Sequence, residues 1–301
     1  MKGLLITNGF LRSDKFVEHY EWLKEAGASY DIQLDVMGND EKLFFCGADL
    51  SWIDEYQFLL FWDKDLRMGK QMEAYGAARG IPIFNSIDAI GACDDKFETC
   101  HRICLWNQEQ KAEQISLLPM IMAPMTYGNI GYTNLDFLRQ VEEKLAYPIV
   151  VKECFGSFGA QVYLAKNRQE LEELTKGLAG VPFFYQKFHE YSSGRDVRLQ
   201  VVGKQVVAAM YRYSDNGDFR ANLTNGGRME IYEPSEKEKK LAVKVAQILG
   251  LDFAGIDLLF SENGADILCE VNSNAHFKNI HICTGVNVAE HIMKYIAGKI
   301  S

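Results

Sequence analysis

The three residues whose types and spacing are best suited to chemistry are Asp257, Glu270 and Asn272. They sit in two apolar runs, FAGIDLLF and ADILCEVN, joined by Ser261-Glu262-Asn263-Gly264. Asn-Gly between two such runs predicts a β-hairpin, because both turn residues tolerate positive φ. A turn centred on Asn263 and Gly264 sets Asp257 opposite Glu270, with Asn272 on Glu270's face. The same register turns Ile256, Leu258 and Phe260 toward the core, opposite Val271, Cys269 and Ile267. Two opposed carboxylates, about 5 Å apart at Cβ, repel one another unless a positive charge intervenes. An all-oxygen donor set without His or Cys suits Mg²⁺ or Mn²⁺ better than zinc. The competing reading is a pair of solvated carboxylates on an edge hairpin.

A second group of residues is suited to phosphate. In YPIVVKECFGSFGAQVYLA, Lys152 ends an apolar strand, and the loop Cys154-Phe155-Gly156-Ser157-Phe158-Gly159 leads into another strand. Glycines let backbone N–H groups approach phosphate oxygens, and Lys152 adds a point charge. This is no Walker A loop, since GK[ST] is missing and no helix follows; an ordinary hairpin turn is the alternative. Lys96 falls in the first turn of a predicted helix, an unfavourable place for a cation unless it serves a ligand. Arg220 and Asn222 in DFRANLTNGG are spaced to share one side of an extended backbone, a forked donor beside an amide oxygen. Gln186 and Lys187 end the apolar strand FFYQKF, where they could read a base edge. Arg198 and Arg212 flank the Gly203-Lys204 hairpin and could hold a substrate carboxylate or serve as surface ion-pair partners.

These residues need a scaffold, and the chain is long enough for one. A length of 301 residues predicts two or three lobes. The first 90 or so residues alternate strand and helix: GLLITNG, a helix through KFVEHYEWLKEAG, YDIQLDVM, QFLLFWD, a helix from Lys70 to Arg79, then IPIFN. This predicts a small open α/β domain over residues 1–92. The glycine fingerprint of dinucleotide binding does not follow the first strand. A smaller α/β lobe is expected over 93–184, with a helix near Leu135 to Leu145. Antiparallel hairpins are expected from 185 to 301, with helices at Ser235 to Leu249 and Val288 to Ala297.

Seven scattered cysteines fit no disulfide framework, and six histidines share no zinc spacing with them, so a reducing, cytoplasmic setting is expected. A net charge of −9 argues against a nucleic-acid partner. No apolar run approaches the roughly 20 residues of a membrane span, and no signal peptide is expected. Oligomeric state stays open, a homo-oligomer included.

Together these motifs resemble the ATP-grasp superfamily, and more closely the branch of ribosomal-S6-type α-L-glutamate ligases. The stretches YQKFHEYSSGRDVRLQVVGKQVVAAMYR, FRANLTNGG, FAGIDLLF and CEVNS follow the family pattern in order and with similar spacing. The resemblance implies an α/β (α+β) ATP-grasp fold behind an N-terminal pre-ATP-grasp domain. It implies an ATP-dependent ligase that joins a carboxylate to an amine, an amino acid or peptide, through an acyl phosphate. Lys96 and Lys152 would then contact ATP, Gly156, Ser157, Phe158 and Gly159 would cover its phosphates, and Gln186 and Lys187 would line adenine. Asp196 would bind near the ribose, Arg220 and Asn222 would contact phosphate with Arg220 stabilising the transferring group, and Asp257, Glu270 and Asn272 would hold magnesium. Asn272-Ser273-Asn274-Ala275-His276-Phe277 departs from the family's Asn-Ser-Pro-Gly, and Lys187 replaces an acidic residue. Two alternatives stand beside this reading: a nucleotide-binding regulatory or partner protein that is catalytically silent, and an ATP-grasp ligase of another branch, such as one making a dipeptide.

Overall fold

The computed structural model of the chain describes residues 1–45, 47, 49–157, 159–221 and 226–300. Strands β1 (Lys2–Thr7), β2 (Gln33–Gly38), β3 (Phe58–Phe61) and β4 (Ile83–Phe84) form a parallel sheet in the order β2-β1-β3-β4. Buried on both faces, β1 and β3 read as unbroken apolar runs, as parallel strands between helices must. Helix α1 (Asp14–Ala28) covers one face, and α2 (Leu66–Ala77) with α3 (Ile87–Asp94) the other. Helix α2 begins four residues before the expected start at Lys70, because the Asp65 carboxylate caps it by accepting from Met68 N.

Helix α4 (Lys96–Glu109) leads to β5 (Ser116–Leu117) and into a small antiparallel sheet. Its strands β6 (Met120–Met122), β7 (Ile149–Glu153), β8 (Val162–Ala165) and β9 (Phe183–Lys187) are ordered β6-β9-β7-β8. Helices α5 (Leu138–Leu145) and α6 (Arg168–Gly177) pack on it. The boundary expected at 184/185 falls inside β9, which pairs residue by residue with β7 from Lys187 opposite Ile149 to Phe183 opposite Glu153. β9 therefore belongs to the small sheet.

The third sheet carries β10 (Arg195–Val202), β11 (Gln205–Tyr213), β12 (Arg228–Ile231), β13 (Phe253–Ser261) and β14 (Gly264–Asn272), in the order β12-β11-β10-β13-β14-β5. One face packs on α7 (Glu236–Ile248), whose start is fixed by a capping box: Ser235 Oγ accepts from Glu238 N while Glu238 accepts from Ser235 N. The other face meets α8 (Lys278–Thr284) and α9 (Val288–Ile300), and α9 continues against α1. One core thus runs between the first and third sheets, with Trp62 stacked on Phe253 at 5.6 Å.

Two buried polar residues lock this junction. Asn85, at the end of β4, accepts from Asp252 N and Phe253 N and donates to Phe253 O and Ser273 O. His19 on α1 donates from Nδ1 to Lys15 O and accepts at Nε2 from Phe277 N, at the start of α8. Those partners require the neutral ring, and burial lowers the His19 pKa to about 4. No helix among the described residues is long and apolar enough to cross a membrane.

Candidate active site

Asp257 does lie opposite Glu270, although the chain reaches that register by another route. The two turn residues are Glu262 and Asn263, with Ser261 paired to Gly264; the expected turn on Asn263-Gly264 is one residue too late. Uncorrected, this would displace every partner by two positions. Two irregularities in the ladder, which leave Asp266 and Cys269 as extra residues on β14, restore the pairing. The core pairs nearer the turn consequently differ from expectation: Leu258 faces Leu268 rather than Cys269, and Phe260 faces Ala265 rather than Ile267. Cys269 lines a cavity instead. Next to the first bulge, Ala265 N donates to Glu238 Oε1, so the cap of α7 also anchors the turn.

That cavity, about 490 Å³, lies between the three sheets and holds most of the candidate residues. Asn272 sits two residues beyond Glu270 and pairs with Gly255. Its Nδ2 is buried without a hydrogen-bond partner, and the Glu270 carboxylate lines the cavity with Lys96 as a charge partner. Asp257 differs. Arg198, directly across from it on β10, donates from Nε at 2.7 Å and from Nη2 at 2.6 Å, and Arg212 Nη2 lies 2.9 Å away. Arg212 also forks onto Asp196 at 2.6 and 2.7 Å. Burial alone would raise the Asp257 pKa, but Arg198 and Arg212 together hold it below the usual carboxylate value. The repulsion between opposed carboxylates is thus relieved by arginine.

The glycine-rich loop is drawn over the cavity by the cations expected to meet phosphate. Lys96 is the first residue of α4, and its Nζ donates to Gly156 O at 2.9 Å; burial lowers its pKa while Glu270 opposes that shift. Arg220 donates to Gly159 O at 2.9 Å and is held from behind by Asp218. Gly156 has φ +141°, a backbone conformation that side-chain-bearing residues rarely adopt. Lys152, Ser157 and Gly159 line the same cavity. So do Gln186, which is 3% exposed, and Lys187 at the end of β9. Phe158 and Asn222 lie outside the described residues.

Arg198 and Arg212, weighed from sequence as holders of a substrate carboxylate, are engaged by the protein's own carboxylates. A signal existed in the Gly203-Lys204 hairpin, but a register shift between Gln200 and Val201 is needed to bring Arg212 opposite Asp196. Asn274, from the segment that departs from the family pattern, lines the cavity, as does Asp63, which like Asn85 carries no motif in the sequence.

No group of three His, Cys, Asp or Glu side chains that could hold a metal is found among the described residues. The candidate set is two carboxylates and an amide, one carboxylate with no ion pair among the described residues and the amide with an orphaned end. Which end of that amide is orphaned is interchangeable by rotation. Such a donor set fits Mg²⁺, which keeps sites for water and phosphate oxygens, and not an all-protein cage.

Solved structures share this architecture. A RimK-domain ATP-grasp protein from Sphaerobacter thermophilus aligns with TM-score 0.68 at 16% identity, covering 98% of this chain and 99% of that one. The ATP-grasp ligase PsnB, solved with a phosphomimetic variant of its minimal precursor, Mg and ADP, aligns with TM-score 0.64 at 15% identity, over 99% and 98%. The fold is therefore that of the ATP-grasp ligases. Among sequences, a Mycoplasma pneumoniae protein described as uncharacterised is 32% identical over 286 residues, 92% of each chain. A probable alpha-L-glutamate ligase of Enterobacter sp. is 32% identical over 76% of this chain and 74% of its own. Beta-citrylglutamate synthase B of Danio rerio is 32% identical over 78% of this chain, which spans 54% of that protein. The RimK-like ATP-grasp domain model matches residues 103–296, and the chain belongs to that family, whose members are ATP-dependent carbon–nitrogen ligases.

Proposed function

We propose that this cavity binds Mg-ATP and joins a carboxylate to the amino group of an amino acid, glutamate being the first candidate. The observation that carries the reading is the trio Asp257, Glu270 and Asn272 in one cavity with Lys96, Lys152 and Arg220. The glutamate assignment draws on the relatives named as a glutamate ligase and a citrylglutamate synthase. In the reaction, a carboxylate oxygen of the acid attacks the γ-phosphorus, and the bridging oxygen leaves with ADP. The amine nitrogen then attacks the acyl carbon of the acyl phosphate, inorganic phosphate departs, and the nitrogen loses a proton.

Lys96, Lys152 and Arg220 neutralise the phosphates, and Arg220 stabilises charge on the transferring group. Gly156, Ser157 and Gly159 cover the phosphates with backbone N–H groups, while Gln186 and Lys187 line the adenine. Asp257, Glu270 and Asn272 would hold Mg²⁺, or Mn²⁺ in its place, and the ion would supply charge neutralisation to the phosphates. Asp196 reaches the ribose if Arg212 yields it. Residues 1–92 act as the domain that closes the acceptor end. Six cysteines among the described residues are free thiols, which supports work in the cytoplasm.

The test is ADP release requiring Mg²⁺, a carboxylate and an amine together, with product mass identifying the amide. Tight ATP binding with no ADP formed across a broad screen of acids and amines would instead support the catalytically silent alternative.

A further inference from the structure

The first sheet changes direction between β1 and β3, since β2 lies on one side of β1 and β3 on the other. Crevices beyond the carboxyl ends of strands at such a point are where open α/β sheets bind ligands. Asn8 follows β1 and Asp63 follows β3, and Asn8 Nδ2 donates to Asp63 Oδ1 at 3.3 Å across that crevice. Both residues line the cavity that holds Glu270 and Asn272.

Asp63 is only 6% exposed, yet its carboxylate is incompletely satisfied. Lys64 N donates to Oδ1 at 2.7 Å and Asp65 N lies nearby, while Oδ2 is buried with no hydrogen-bond partner. Asn274, from the segment after β14, donates its Nδ2 to Asp63 O at 3.2 Å, and its Oδ1 is likewise buried and unpartnered. The adjacent lysine offers no relief, because Lys64 Nζ pairs with Asp94. Tyr20 and Trp62 also line the cavity at this end. Two orphaned acceptors, one anionic, beside aromatic walls call for a cation bearing several N–H donors. Asn274 follows the candidate metal residue Asn272 by two positions, a span of at most about 7 Å of chain.

We propose that Asp63, Asn8 and Asn274 form the subsite that receives the amino group of the amine co-substrate as its ammonium, which releases one proton to solvent before the nitrogen attacks, an inference that rests on the ligase reading above. It also gives a role to the departure of Asn272-Ser273-Asn274-Ala275 from the family pattern: Asn274 supplies an acceptor at this end of the cavity. The experiment compares wild type with Asp63→Asn and Asn274→Ala. Each is given Mg-ATP, citrate or glutamyl peptides as acid, and either the common L-amino acids or hydroxylamine, a small uncharged nucleophile that traps the acyl phosphate as hydroxamate.

The expected result is a KM for the amino acid raised about tenfold or more in both variants, equivalent to losing a hydrogen bond to a charged group. Hydroxamate yield and KM for ATP stay within about twofold of wild type, a change of under about 0.5 kcal/mol. An unchanged amino-acid KM, or hydroxamate yield falling in parallel with it, overturns the subsite while leaving the ligase reading standing. Wild-type protein that forms neither ADP nor hydroxamate with any pair overturns the ligase reading, and this subsite with it.

Discussion

Glu270→Gln and Asp257→Asn are equally conservative on paper, and the structure separates them. Glu270 is half-buried and acts on Lys96 only through its charge, with no ion pair among the described residues, so its replacement by an isosteric amide breaks no direct contact. Its cost in stability should lie within about 1 kcal/mol, or about 2–4 °C in Tm. Asp257 is 3% exposed and receives three arginine contacts between 2.6 and 2.9 Å. Removing its charge leaves the buried Arg212 with Asp196 alone and the half-buried Arg198 with no carboxylate partner, and breaking such a pair costs about 3–5 kcal/mol. Asp257→Asn should therefore lower Tm by about 10 °C.

Activity should not follow stability. Both variants lose a ligand of the proposed ion, and each should reduce ADP release by about 100-fold or more, several kcal/mol of transition-state stabilisation. The assays are thermal unfolding and ADP release, the latter titrated with Mg²⁺ at saturating ATP and substrates. Glu270→Gln should be a well-folded protein with a raised Mg²⁺ requirement. Full activity in Glu270→Gln would refute the metal assignment. Equal destabilisation in the two variants would refute the account of Asp257 as the residue that the arginines hold.

Three further outcomes follow from other contacts. Arg220→Lys loses the fork that holds Asp218 and Gly159 O together, so kcat should fall about 1000-fold; amide exchange of residues 155–161 in the absence of nucleotide should rise, and unchanged exchange would show that Arg220 does not restrain the loop. His19, with its pKa lowered from 6.5 to about 4, binds its proton more readily unfolded than folded. Its contribution is full above pH 6.5 and lost as pH falls toward 4, about 3 kcal/mol in all; urea melts across that range should slope accordingly, and less steeply in His19→Phe. Asn85→Ala strands four backbone groups, three of them buried, and should cost about 3 kcal/mol in a urea melt, with slower ADP release because Ser273 adjoins the site.

The parts of this molecule legible in the sequence are those where local pattern and tertiary outcome agree. β1 and β3 are apolar on both faces and had to be buried parallel strands, and Ser235 with Glu238 announces the start of α7. Helix α8 follows from no such signal: it has no side-chain cap, and Phe277 and Lys278 at its start are met by the ring of His19, 258 residues earlier in the chain. The boundary drawn at residue 184 divides β9 for a similar reason. Tyr185, Gln186 and Lys187 carry no local signal that assigns them to either sheet, and only pairing with β7 decides between them.

The site itself shows how a correct register can rest on an incorrect turn. Asp257 faces Glu270 because two extra residues on β14 compensate for a turn that comes one residue early, and bulges carry no fixed sequence signature. The same blindness hid the arginines. From Gly203-Lys204 alone, Asp196 would face Tyr211; the shift at Gln200 brings it to Arg212 and completes a chain of charges from Asp196 through Arg212 and Asp257 to Arg198. Opposed carboxylates in a sequence predict that positive charge lies near, and here two arginines supply it in advance of any ion. Mg-ATP arriving in this cavity would meet Glu270 and Asn272 ready to coordinate, but Asp257 only by exchange with arginine. Loading should consequently need more Mg²⁺ than three free ligands would, because only the fraction of molecules with Asp257 released is competent to bind.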